Sequence, residues 1–286
     1  MRVADPGAQE LRLQLSNGQE CALLMCGPEH APPILALHGW QDNAASFLPL
    51  AALLPEYRVV ALDFPGHGLS ARRPLSSPYY IWSYIAEIRG VVEHFGWQQF
   101  VLMGHSMGGA VACLYAALYP QELSKLVLLD ILGPVATAPA QLPAQMREAL
   151  NQLESLKARQ RHYYADFQAA VLARAEKGLA LAPATLLGQR GVVCDGQGCY
   201  WSFDPRLRVL SPMSLSEEQV EAFMREIACP ALVVLSTGFW QKRRAMFDLR
   251  KNYLQHATIH ELAGSHHQHM EVQATEIAVL IRTFLI

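Results

Sequence analysis

The chain has 286 residues, of which 51% are hydrophobic and 17% are charged. This composition excludes a disordered chain and suits one large globular domain, or one domain with a big insertion. Lys and Arg number 23 against 25 Asp and Glu, which gives a net charge of −2 without any basic run. The charge balance therefore provides no electrostatic basis for binding nucleic acid or an anionic membrane surface.

The N-terminal residues and the cysteines bear on the expected compartment. Residues 1–10 lack the apolar stretch of a secretory signal, and the longest apolar stretch is interrupted by glycines. Two cysteine pairs, Cys21/Cys26 and Cys194/Cys199, have a C-x4-C spacing, which differs from zinc-site patterns. We therefore expect six free thiols, mostly buried, in a cytoplasmic protein.

The chain begins with a predicted hairpin, whose alternating residues 11–15 lead through Asn17-Gly18 into a returning strand. Short runs without polar alternation follow, and such runs are typical of strands buried on both faces of a parallel sheet. These runs are 34–37, 59–62, 100–103, 126–129 and 231–235. Helical periodicity lies between them, for example over 81–95 before Gly96. The alternation predicts an α/β fold with a doubly wound, mostly parallel sheet.

A long stretch after Asp130 lacks this alternation. Its first part predicts helices, and residues 192–203 predict a hairpin that turns at 195–198. An insertion at the carboxyl end of a central strand would lie over the edge where open α/β sheets bind ligands. We therefore expect a core of residues 1–132 and 228–286, and a lid of residues 133–227.

Gly104-His105-Ser106-Met107-Gly108 matches G-x-S-x-G between a predicted strand and a predicted helix. In this setting the serine lies on a sharp strand-to-helix turn, and the glycines leave room for it. The backbone N–H of Met107 would then point from a helix start toward a developing oxyanion.

From about Ile34 to the C-terminus, the chain resembles the α/β-hydrolase superfamily. His38-Gly39 is similar to the oxyanion-loop motif of the family, and 104–109 is similar to its nucleophile elbow. Residues 63–70 are similar to the loop after the next strand, and 264–271 to the catalytic-histidine loop. Within the superfamily, the segments 38–47 and 201–208 resemble the lidded serine-hydrolase-like branch, near the epoxide-hydrolase and haloalkane-dehalogenase types.

The resemblance implies a nucleophile and a base. Those two related types use a carboxylate at the elbow, whereas Ser106 favours attack on a carbonyl. The base is one of His266, His267 and His269. His266 precedes Glu271 by five residues, as the catalytic histidine of the family does, so we assign the base to His266. The spacing of these histidines differs from that of a helical zinc motif, and we expect no metal.

The acid departs from the common family pattern, because residues 236–241 contain no carboxylate. Some lidded relatives carry the acid one strand earlier, where this chain has Asp130. Asp248 is the alternative, but it lies on the following predicted helix. Asp130 is therefore the predicted acid, and a helix-capping role for it stays open.

The resemblance also implies an oxyanion hole made by the backbone N–H groups of Met107 and Trp40. Aromatic side chains would line an apolar acyl pocket, although many of them could instead form the lid's own core. The candidates for substrate contact are Tyr163, Trp201, Phe239 and Trp240.

These assignments together predict a serine hydrolase without a cofactor. We expect a carboxylesterase that cleaves small or medium apolar acyl esters through an acyl-enzyme. A thioesterase, a C–C hydrolase and a receptor that binds a small molecule with little turnover remain alternatives. The expected partner is a small ester-type molecule, with no nucleic-acid or membrane partner, and the oligomeric state stays open.

Overall fold

The computed structural model describes residues 7–156 and 161–286. Residues 1–6 and 157–160, which belong to the expected core and lid respectively, lie outside the described residues. The strands are β1 (Gln9–Gln14), β2 (Glu20–Cys26), β3 (Pro33–Leu37), β4 (Arg58–Leu62), β5 (Phe100–His105), β6 (Leu123–Leu129), β7 (Val192–Asp195), β8 (Gly198–Trp201), β9 (Ala231–Ser236) and β10 (Ala257–Leu262). The α-helices are α1 (Leu48–Ala52), α2 (Ile85–Phe95), α3 (Met107–Leu118), α4 (Leu142–Leu156), α5 (Phe167–Ala175), α6 (Leu181–Gly191), α7 (Glu217–Arg225), α8 (Thr237–Trp240), α9 (Arg244–Arg250) and α10 (Ala274–Leu285).

Eight strands form one sheet in the order β1-β2-β4-β3-β5-β6-β9-β10. The first two strands pair antiparallel, as does β2 with β4, and every other pairing in this sheet is parallel. The predicted doubly wound α/β fold is therefore confirmed. In this order, the carboxyl ends of β3, β5, β6, β9 and β10 lie along one edge of the sheet.

The central strands are buried on both faces, which explains why their sequences do not alternate with polar residues. Leu35 and Leu37 pack into the apolar core on one face of the sheet. Ile34 and Ala36 pack into a separate core on the other face. Successive side chains of a strand point to opposite faces, so each of these strands needs apolar residues at every position.

Strand β10, which the sequence analysis did not predict, extends the sheet and pairs parallel with β9. Its sequence, ATIHEL, contains polar residues, and its residues are half-buried or exposed. An edge strand covered on fewer sides does not need a continuous apolar run, and this accounts for its absence from the predicted strands.

The predicted insertion between β6 and β9 contains α4 to α7 and the antiparallel hairpin of β7 and β8. Helix α7, however, packs on the apolar core that contains Leu35 and Leu37, which we call the main core. Val220 and Met224 of this helix are fully buried there with Leu132. Helices α5 and α6 lie against the loops at the carboxyl edge of the sheet, where Arg174 pairs with Asp42 and Arg190 pairs with Asp63.

The expectation of free thiols is wrong for one cysteine pair. Cys194 and Cys199 form a disulfide across the β7–β8 hairpin. The predicted turn at 195–198 places these two residues directly opposite each other, so the pairing register brings the sulfur atoms together. This bond removes part of the reason for expecting a reducing compartment.

Within residues 7–156 and 161–286, none of the helices combines the length and the apolar character that a membrane span requires.

Candidate functional site

Ser106 lies at the sharp turn between β5 and α3, with φ 48° and ψ −117°. A backbone with positive φ is strained for a residue that has a side chain, and such strain is characteristic of functional turns. The neighbouring glycines make the turn possible. A Cβ atom on Gly108 would lie 2.1 Å from the carbonyl oxygen of Leu37, and one on Gly104 would lie 2.5 Å from the Cα of Gly109.

A hydrogen-bonded chain joins three side chains from distant parts of the sequence. The Nε2 atom of His266 lies 2.9 Å from the Ser106 hydroxyl. The Nδ1 atom of the same ring lies 2.5 Å from Oδ2 of Asp130. Asp130 is fully buried, follows the end of β6 and has φ 53°. The structure thus brings together Ser106, His266 and Asp130.

Asp130 is held by Ser236, the last residue of β9. The backbone N–H of Ser236 donates to Oδ1 of Asp130 at 2.6 Å, and the Ser236 hydroxyl donates to Oδ2 at 2.9 Å. These bonds fix the orientation of the carboxylate beside the imidazole. Asp248, the alternative acid, is half-exposed on α9 and pairs with Lys251 and Arg244 instead.

Of the two residues proposed for the oxyanion hole, Met107 follows Ser106 in the chain and Trp40 lines the cavity that contains Ser106. Met107 begins α3, where the first N–H groups of a helix have no acceptor within the helix. Trp40 follows Gly39 in the loop after β3, and its side chain lies at the mouth of the site. Its indole N–H donates to the carbonyl of Leu207 at 2.7 Å, which ties this loop to the insertion.

A second polar cluster lies beside the triad and was missed by the sequence analysis. Asp42 is buried in the loop after β3, and its Oδ2 lies 3.2 Å from Nε2 of His267. Its Oδ1 accepts a hydrogen bond of 2.8 Å from Arg174 of α5. The Nε2 atom of His105 lies 2.8 Å from the backbone oxygen of His266. The sequence signals for Asp42 were its place shortly after a buried strand and within the segment 38–47 that resembles the lidded branch, but neither pointed to a role for its side chain.

Burial and neighbouring side chains shift the pKa values of the groups in this cluster. Burial lowers the pKa of His105 to about 4. Burial alone would raise the pKa of the Asp42 carboxyl, but the neighbouring side chains of His267 and Arg174 together hold this pKa well below its usual range. Burial also lowers the pKa of His269, whose ring is fully buried 4.2 Å from that of His105. His105 and His269 are therefore neutral near pH 7, and Asp42 is ionised.

A cavity of about 320 Å³ opens onto Ser106. The residues that line this cavity are more polar than those expected for an apolar acyl pocket. The lining residues are Gly39, Trp40, Gln41, Asp42, His105, Ser106, Arg174, Lys177, Gly178, Leu179, His266 and His267.

The four aromatic residues predicted to contact substrate do not line this cavity. Phe239 does stack on the His266 ring, with centroids 4.2 Å apart. Trp240, the last residue of α8, is buried in the main core. Trp201 packs in the insertion's own core and donates to the carbonyl of Ala170, and Tyr163 contacts Tyr200 in the same region. These three aromatic residues therefore pack in the core or in the insertion and do not contact the cavity.

The insertion contacts the carboxyl edge of the sheet through polar bonds. Besides the Arg174–Asp42 pair, Arg190 pairs with Asp63 at 2.9 Å. The side chain of Asn43 donates to the carbonyl of Leu187 at 2.9 Å. These bonds hold α5 and α6 over the loops that carry Gly39 and Asp42.

Comparison with known proteins agrees with this architecture. The family model of the alpha/beta hydrolase fold matches residues 32–188. A "Serine hydrolase-like protein" of Danio rerio is 33% identical over 275 residues, which cover 92% of this chain and 84% of the relative. "Serine hydrolase-like protein 2" of Homo sapiens is 30% identical over 308 residues, which cover 99% of this chain and 96% of the relative.

The similarity extends to solved structures. A hypothetical protein from Pseudomonas aeruginosa PAO1 superposes with a TM-score of 0.88 at 35% identity, over 96% of this chain and 98% of that one. A thioesterase domain from the curacin biosynthetic pathway superposes with a TM-score of 0.82 at 25% identity, over 96% and 99% of the two chains. These similarities support a hydrolase. The chain belongs to the α/β-hydrolase fold family.

Proposed function

We propose that the protein is a serine hydrolase that forms an acyl-enzyme on Ser106. The observation that carries the proposal is the continuous chain from Asp130 through His266 to the Ser106 hydroxyl. His266 accepts the hydroxyl proton as Ser106 attacks a carbonyl carbon, and Asp130 stabilises the resulting imidazolium. His266 then protonates the leaving group and activates water for deacylation.

The oxyanion of the tetrahedral intermediate would be held by the N–H groups of Met107 and Trp40. Backbone donors at a helix start and in a rigid loop need little reorganisation when charge develops. The helix dipole of α3 adds a favourable positive potential at the same place.

The reaction that these groups support best is carboxylic ester hydrolysis. A serine nucleophile with a histidine base suits carbonyl substrates. Since Arg174, Lys177 and Gln41 line the cavity beside Ser106, the preferred ester carries a polar or anionic group near the scissile bond. This polarity replaces the apolar acyl pocket expected from the aromatic residues.

Thioester hydrolysis is a second candidate, supported by one comparison. The curacin-pathway thioesterase domain superposes over nearly the whole of this chain. The triad chemistry is the same for both substrates, because only the leaving atom differs.

We also propose that residues from 133 to the start of α7 form a lid over the site. The bonds from Arg174, Arg190 and the Leu207 carbonyl to the loops of the core support this role. Helix α7 is left out because it packs on the main core.

A matched substrate panel tests the proposal. Wild-type protein is assayed on esters and thioesters that share each acyl group, with acyl chains of graded length and with or without a carboxylate. We expect sustained turnover with a preference for ester leaving groups, and at least about a 10³-fold loss for His266→Ala. His267→Ala should keep at least about a tenth of the activity, a loss of about 1.4 kcal/mol at most.

Two results would contradict the assignment. A release of product that stops after one equivalent would indicate a receptor that is acylated once. Loss of turnover in His267→Ala with retention in His266→Ala would show that the base is misassigned.

A further inference from the structure

Three ligand-type atoms converge beside the triad from three separate segments of the chain. They are Oδ2 of Asp42, Nδ1 of His105 and Nε2 of His267, and all lie within 4.8 Å of one another. Asp42 follows β3, His105 ends β5 and His267 follows β10, so the parallel sheet itself brings them to one edge.

The hydrogen bond of His105 determines which of its ring atoms can accept. Its Nε2 atom lies 2.8 Å from the backbone oxygen of His266, and a carbonyl oxygen only accepts. The proton of the neutral ring therefore lies on Nε2, and Nδ1 carries a lone pair. This Nδ1 atom is buried and has no hydrogen-bond partner among the described residues.

The lone pair of Nδ1 faces a carboxylate. Nδ1 of His105 and Oδ2 of Asp42 are 3.7 Å apart, too far for a hydrogen bond and with an acceptor on each side. Two buried acceptors that face each other repel, and a cation between them removes the repulsion. Arg174 does not serve this purpose, because it binds the other oxygen of Asp42, at 2.8 Å.

We propose that Asp42, His105 and His267 bind a divalent transition-metal ion of the Zn²⁺ class. Two imidazoles and one carboxylate form a ligand set that zinc takes in proteins, with bonds of about 2.0–2.2 Å. Such bonds in a tetrahedron separate neighbouring ligand atoms by about 3.3 Å. The separations of 3.2 Å and 3.7 Å from Asp42 Oδ2 are close to that value.

The surroundings also suit a bound ion. The bond from His105 Nε2 to a carbonyl orients a ligand ring, as second-layer partners of metal sites do, and Arg174 orients the carboxylate. The same three residues line the cavity at Ser106, so the fourth coordination position opens toward that cavity. The positive charges of Arg174 and Lys177 oppose cation binding and reduce its affinity.

The test is calorimetric titration of the metal-stripped full chain with Zn²⁺ alone. We expect one saturable site per chain, and His267→Ala should weaken binding by at least about 100-fold, as expected for the loss of a ligand. Asp42→Asn should do the same. His30→Ala, which removes an exposed histidine outside this cluster, should bind Zn²⁺ as the wild type does.

Variants of the triad distinguish this site from the catalytic one. Ser106→Ala and His266→Ala should still bind one Zn²⁺, so the metal site and the proposed hydrolase activity can fail independently. Thermal unfolding of each variant without metal checks that the chain is folded. Because His267 is partly exposed, with 17% side-chain accessibility, its substitution should leave the fold intact.

Two outcomes would overturn the proposal. One is no saturable binding up to about 100 μM Zn²⁺, a concentration that corresponds to weak association. The other is binding that His266→Ala removes and His267→Ala retains, since the ion would then occupy the triad.

Discussion

Both carboxylate oxygens of Asp130 accept hydrogen bonds from Ser236, while Oδ2 also faces His266. The carboxylate is buried, so its orientation depends on these few bonds. Ser236 is therefore a positioning residue, since its hydroxyl acts on the imidazole only through Asp130.

Substitutions at these two positions should differ in severity. Asp130→Asn should lower kcat by up to about 10⁴-fold, because the amide favours the wrong imidazole tautomer. Ser236→Ala should lower kcat by about tenfold, or about 1.4 kcal/mol, since the backbone N–H bond to Asp130 remains. Steady-state kinetics on one ester measures both effects.

The control is Asp248→Asn, which alters a half-exposed carboxylate on α9 outside the site. Its kcat should equal that of the wild type. A loss in this variant comparable to that of Asp130→Asn would contradict the assignment of the acid.

At the residue scale, local motifs together with the family resemblance predicted the three members of the hydrogen-bonded chain. Ser106 lies within a five-residue pattern, Asp130 follows a predicted strand, and His266 was chosen for its five-residue spacing to Glu271. Asp42 could not be recognised in the same way, because its partners His267 and Arg174 are far away in the sequence. Contacts of this kind depend on the packing of loops and the insertion, for which no local pattern exists.

At the element scale, the turn between β5 and α3 carries the reactive serine on a strained backbone. Gly108 allows α3 to approach β3, since any Cβ there would meet the backbone carbonyl of Leu37 at 2.1 Å. Backbone cannot move aside as the end of a flexible side chain can.

Gly108→Ala should therefore lower the free energy of unfolding by about 3 kcal/mol or more, in the range of severe overpacking. Gly196→Ala is the matched control, because a Cβ there meets nothing within 4 Å. Urea denaturation of both variants measures the difference. Equal stability of the two variants would show that the elbow is not as tightly packed as described.

Elements differed in how well the sequence predicted them. The strands buried on both faces, such as β3 and β5, have continuous apolar runs and were predicted. The half-exposed edge strand β10 lacks such a run and was not predicted. Trp240 shows the same difficulty for side chains, because an aromatic residue near the site can equally well pack into the core.

For the whole molecule, the free energy of unfolding at acidic pH depends on buried histidines that are neutral in the folded state. His38 is fully buried, its Nδ1 lies 2.7 Å from the Gly39 carbonyl, and its Nε2 accepts from the N–H of Phe64 at 3.0 Å. Burial lowers the pKa of His38 below 6.5, and burial lowers that of His67 well below 6.5. Protonation of His38 would also break the bond from Phe64.

Because the folded-state pKa values are depressed, the unfolded chain binds more protons as the pH falls below about 6.5. Stability from these histidines is complete above about pH 6.5 and is lost as the pH falls toward the folded-state values. We therefore expect the urea midpoint to decrease as the pH falls from about 6.5 to about 5.5.

The variants to compare are His38→Gln and His30→Gln. His38→Gln should reduce the pH dependence, whereas His30→Gln, on an exposed loop, should leave it unchanged. A flat pH profile of the wild type, or a profile that His38→Gln does not alter, would contradict this account.

The central claim is that Ser106 is a nucleophile activated by His266, and covalent labelling tests it most directly. The full chain is incubated with a fluorophosphonate, digested and analysed by mass spectrometry. The account predicts one adduct, on the peptide that contains Ser106, with no adduct in Ser106→Ala and much slower labelling in His266→Ala. Labelling of Ser106→Ala at the wild-type rate, or an adduct on another serine, would contradict it.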